Sequence, residues 1–115
     1  MWRLLQRHLQ TLKRVRRYNA KQQKKFFADC DRGVIDCCCE IARNILNSNV
    51  PLSDRQFKAL RRQKRNLRNL AKIKSSVKQK RKILQTGGFL GLILGPLVSA
   101  IAGGIGSLIA KKISR

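Results

Sequence analysis

Acidic residues are scarce in this 115-residue chain, with 5 Asp and Glu against 27 Lys and Arg. It has one histidine, His8, and two prolines, Pro51 and Pro96, and only 5% of its residues are aromatic. Each shortage excludes something. The five carboxylates all lie between Asp29 and Asp54 and His8 stands far upstream, so no acid–base or nucleophilic constellation can be assembled. No glycine-rich phosphate loop follows a strand pattern, and a chain this short has little core in which to shape a pocket, so no enzyme is expected. The aromatics are too few and too far from the basic runs to form a stacking platform for single strands. Cys30, Cys37, Cys38 and Cys39 lack the paired spacing of a zinc site. Three adjacent cysteines also make a poor disulfide framework, because neighbours on a helix point in different directions. They are expected to be small buried apolar side chains in a reducing compartment, with no metal or other cofactor.

What the chain has in abundance is positive charge, a net +22 with a pI near 11.5. Such a chain repels itself unless a polyanion neutralises it. The charge lies in two acid-free blocks. Residues 1–28 carry nine cations, and residues 55–82 carry thirteen: Arg55, Lys58, Arg61, Arg62, Lys64, Arg65, Arg68, Lys72, Lys74, Lys78, Lys80, Arg81 and Lys82. An acid-free basic helix suits phosphate contact, because each neutralised phosphate releases counterions, and these thirteen residues are the expected nucleic-acid-binding surface. There is no zinc finger, zipper or compact helix-turn-helix to read bases, so binding is expected to be indifferent to sequence. Lys78-Gln79-Lys80-Arg81-Lys82 also matches the pattern of a nuclear import signal. Charge follows Met1-Trp2-Arg3-Leu4-Leu5 closely, so no secretory signal is expected there.

Apolar periodicity predicts an all-α fold, a small helical hairpin or three-helix arrangement with a long basic helix and a hydrophobic, glycine-rich helical tail. Trp2, Leu5, Leu9 and Leu12 mark an amphipathic helix ending near Tyr18-Asn19, within a basic segment 1–28. Residues 29–52 hold a Cys-bearing helix from about Gly33 to Leu46, with Asp29 or Asp31 as N-cap, and a turn over residues 47–51. Residues 53–86 open with a capping box, Ser53 and Gln56. A stripe of Leu60, Leu67, Leu70, Ile73 and Val77 then predicts a helix from Asp54 to about Leu84, loosened near Ser75-Ser76. Thirty helical residues span roughly 45 Å, so much of this helix would project beyond a small bundle.

In the final segment, 87–115, residues 89–110 are uncharged and long enough to cross a bilayer, with Gly95-Pro96 as a kink. Gly87, Gly91, Gly95, Ser99, Gly103 and Ser107 recur every fourth place, and from Gly91 onward they are candidate positions for membrane insertion or self-association. Lysines on both flanks suit anionic headgroups.

The run Thr86-Gly87-Gly88-Phe89, between a basic segment and an uncharged tail, resembles the precursors of adenovirus minor core proteins of the X, or mu, type. Asp36-Cys37-Cys38-Cys39-Glu40, Asn44-Ile45-Leu46 and Asn49-Val50-Pro51-Leu52-Ser53 are similar to small basic proteins of Polinton and adintovirus-type elements, a likeness that covers most of the chain. The adenovirus resemblance implies a virion core protein that condenses double-stranded DNA and is matured by a viral cysteine protease cutting after Gly-Gly. Gly103-Gly104, preceded by Ile101-Ala102, fits the cleavage pattern. Gly87-Gly88 sits at the expected place but has Gln85 where an aliphatic residue is typical.

The expected function is therefore packaging of viral-type double-stranded DNA, in the host nucleus and the virion core, with RNA as the other nucleic-acid candidate. The alternative is a membrane-associated, membrane-active protein whose tail, residues 89–110, touches anionic lipid or a capsid. The oligomeric state is left open.

Overall fold

The computed structural model describes the backbone of residues 2–102 and the side chains of residues 3–97. The described chain is all α-helical: α1 (Trp2–Arg16), α2 (Ala20–Asp29), α3 (Arg32–Leu46), α4 (Asp54–Arg62), α5 (Lys64–Ala71), α6 (Val77–Leu84) and α7 (Phe89–Ala102). α3 is the central element and packs against α1, α5, α6 and α7.

The basic N-terminal segment forms two helices. α1 buries Leu5, Leu12 and Val15 at helical spacing, with Leu9 packed at the edge of the same core. It ends at Arg17-Tyr18, and Asn19 starts α2 with a capping box: its side chain accepts from the Gln22 amide at 2.8 Å, and its own amide donates to Gln22 Oε1 at 3.0 Å. Gln23 is buried with its Nε2 donating at 3.1 Å to the Val15 carbonyl at the end of α1, which also accepts from the Tyr18 amide at 3.0 Å.

α3 starts one residue before the expected Gly33, with Asp31 in the N-cap position but making no side-chain cap bond. Nine of its 15 residues are buried. Its C-terminus is a Schellman motif, in which the Ser48 amide donates to the Ile45 carbonyl at 3.1 Å and the Asn49 amide to the Asn44 carbonyl at 2.9 Å. Ser48 holds φ 60° where glycine is usual. Asn49 Nδ2 also donates to the buried Asn44 Oδ1 at 3.1 Å, which fixes the turn before α4.

The long basic helix is divided into three. The capping box of Ser53 and Gln56 opens α4 as expected, but α4 ends at Arg62, and Gln63 (φ −106°, ψ 23°) turns the chain into α5. α5 in turn ends where Lys72 becomes extended (φ −69°, ψ 129°), and Ser76 caps α6 through Oγ and the Gln79 amide at 3.1 Å. A straight rod of roughly 45 Å would have to leave a body measuring 37 × 29 × 29 Å. Bending lets Leu60, Leu67, Leu70, Ile83 and Leu84 all reach one core. Ile73, expected on that stripe, falls in the break and is 84% exposed.

The tail is not an appendage over its described length. Phe89, Leu90, Ile93, Leu94 and Leu97 of α7 are fully buried, and α7 packs against α1, α3, α4 and α6. Gly91 and Gly95 sit partly exposed on this core helix. Among the described residues, no helix is long and apolar enough to cross a membrane. The Ser99 side chain, Gly103, Gly104 and Ser107 lie outside the described residues.

Candidate nucleic-acid interface

Eleven of the thirteen expected cations are exposed: Arg55, Lys58, Arg61, Arg62, Lys64, Arg65, Arg68, Lys72, Lys74, Lys78 and Lys82. The helical period explains their placement. α4 and α5 turn Leu60, Leu67 and Leu70 inward, and the intervening cations are left outside. Among the described residues, none of the thirteen is paired with a carboxylate, since the ion pair present joins Glu40 to Arg43 at 2.6 Å. The Arg43 Nε donates to the Ala71 carbonyl at 2.9 Å, which ties α3 to the end of α5.

A cluster of exposed cations lies along α5. Lys64, Arg65, Arg68 and Lys72 surround a depression of about 440 Å³, with Asn69 among them. Their spacing of one, three and four residues brings them onto one side of the helix. Asn69 is a member that charge counting misses. An amide inside a run of cations carries no signal in sequence.

Lys80 and Arg81 face inward, contrary to the expected surface. Lys80 is only 7% exposed and its ammonium approaches the Cys39 thiol. Arg81 Nη1 donates to the Phe27 carbonyl at 3.2 Å and approaches Cys30 Sγ at 3.6 Å. α6 packs against α2 and α3, and two of its cations pass through that seam with their polar ends satisfied. The import-like run 78–82 therefore shows only its two terminal lysines and Gln79 as exposed groups.

Cys37, Cys38 and Cys39 are all buried and Cys30 is partly so, each as a free thiol. Three successive residues can all be buried because α3 has neighbours on several sides. Burial raises the Cys37 thiol to about 12, with the nearby Glu40 charge adding to the effect. Burial likewise raises Cys38 and Cys39, although Lys80 and Arg43 oppose it at Cys39. Such thiols stay protonated and unreactive. Among the described residues, no group of three or more His, Cys, Asp or Glu is placed to hold a metal ion.

Gly87 and Gly88, the first candidate processing positions, are exposed in the turn joining α6 to α7, and Gly88 has φ 79°. The next residue, Phe89, is 1% exposed. Comparison with family models, with curated proteins and with solved structures finds no match to this chain.

Proposed function

We propose that this protein binds double-stranded nucleic acid without reading its sequence, and that it serves to condense and package viral-type DNA as a minor core protein. The observation that carries this reading is the row of exposed cations from Arg55 to Lys72, with no acid among them, and its cluster of Lys64, Arg65, Arg68 and Lys72 around one depression. Phosphates of a duplex present about one charge per 1.7 Å of axis, and an eight-residue helix such as α5 covers roughly 12 Å. Several phosphates therefore face α5 at once, whatever the bases.

The test is a duplex titration at several salt concentrations. Engagement of six or more cations predicts a log–log slope of about −5 or steeper. Replacing Lys64, Arg65, Arg68 and Lys72 together by Gln should flatten it by about 3 to 4. Equal affinity at low and high salt would sink the reading. Competition by structured RNA that exceeds competition by duplex DNA would move the function to RNA. The membrane-active alternative is less favoured because Phe89, Leu90, Ile93, Leu94 and Leu97, at the start of its tail, are buried in the core.

A further inference from the structure

Beside the cationic depression lies a second hollow, of about 730 Å³, between the end of α3, the turn after it and α4. Its walls are apolar. Val50 and Leu60 are buried at its base, while Leu46 (41% exposed) and Phe57 (56% exposed) stand open to solvent. Arg61 and Lys64 stand at its edge, and no acid lines it. Lys64 belongs to both hollows.

We propose that this groove docks an acidic, amphipathic segment of a partner protein, with apolar side chains inserted over Leu60 and carboxylates meeting Arg61 and Lys64. This inference does not rest on nucleic-acid binding. A contiguous apolar hollow is a feature of helix-in-groove recognition, and its edge charge selects the sign of the ligand. Phosphates would gain nothing from Leu46, Val50 and Phe57. A second copy brings the same +22 charge to the same basic edge, and no segment of this chain after Asp54 carries an acid that could meet Arg61 and Lys64. A bilayer takes up protruding side chains, and this surface is concave.

The groove is also preformed. The Schellman turn at Ser48-Asn49 holds one wall, and the capping box of Ser53 and Gln56 holds the start of α4, which carries Phe57. Little ordering entropy then opposes docking.

The test uses the full-length protein and three labelled synthetic helical peptides that share one Leu/Phe stripe and carry Glu, Gln or Lys elsewhere. Fluorescence anisotropy at physiological ionic strength should show the Glu peptide binding at least about tenfold tighter than the Gln peptide, and the Lys peptide not binding. Phe57→Ala should weaken the Glu peptide by about tenfold or more, because an exposed aromatic anchor carries much of such an interface. The same variant should keep its melting temperature and its duplex affinity, so failure here is distinct from failure of the nucleic-acid reading. Equal binding of the Glu peptide to the parent and to Phe57→Ala would reduce the contact to charge alone and overturn the proposal. So would absence of binding, a parent dimer that Phe57→Ala dissociates, or dye release from anionic vesicles that Phe57→Ala abolishes.

Discussion

Arg81 donates a hydrogen bond to the main-chain carbonyl of Phe27 at 3.2 Å, joining α6 to the end of α2 across 54 residues of sequence. A cation from the most basic stretch of the chain is thus spent on the fold. Arg81→Gln should lower stability by about 1–3 kcal/mol, the cost of leaving a partly buried acceptor unpaired. The salt slope of duplex binding should not change. Thermal melting and a salt titration of the same variant check both halves.

Leu94 is fully buried in α7. Leu94→Ala should cost about 2–5 kcal/mol, the range for a leucine truncated in a packed core. A detachable tail would tolerate the change. Denaturant unfolding followed at 222 nm distinguishes the two, and the chain ended at Gly88 should lose the cooperative transition.

Gly88 holds φ 79° with open space around its Cα, so a side chain there meets no neighbour. The cost of Gly88→Ala is then purely conformational, about 1–2 kcal/mol. Gly87→Ala should cost less, since its nearest neighbour would be Ala20 Cβ at 3.9 Å and its φ lies outside the left-handed region. Calorimetry of the two variants gives the comparison.

The cysteines predict an alkaline limit. In the folded chain Cys37 titrates near 12, and in the unfolded chain near the ordinary 9.0. Above pH 9 the unfolded state has therefore lost a proton that the folded state keeps, so stability falls as pH rises. The contribution is complete below about 9 and is lost toward 12. Melting temperature measured across that window should decline, and Cys37→Ala should make the decline shallower. A thiol reagent near pH 8 should label Cys30, partly exposed, before the other three.

Several elements were legible in the sequence because their signals are local. The Ser53/Gln56 capping box formed as its spacing requires, and α1 buried Leu5 and Leu12, two of the residues on its predicted stripe. The turn after Leu46 also formed where its Asn, Ser and Pro residues cluster. The break at Gln63 was not legible, since Gln63 and its neighbours favour helix as well as any residues do. Only the need to bring Leu60, Leu67 and Leu84 into one core bends the chain there. The groove lined by the end of α3, α4 and the start of α5 depends on the same bend and could not be read along the chain, whereas the cations around the depression follow one face of α5.

The sequence by itself determined the all-α class, the excess of positive charge and which residues carry it, because composition and helical period act over a few residues at most. The tertiary structure alone decided which of those charges face outward. Lys80 and Arg81 share the sequence character of Lys78 and Lys82, yet the first two fill the seam against α2 and α3 while the others remain in solvent. It also decided that Phe89 to Leu97 are core. An apolar run is equally suited to lipid and to a protein interior, and the choice is made by whether other helices leave a space that it fills.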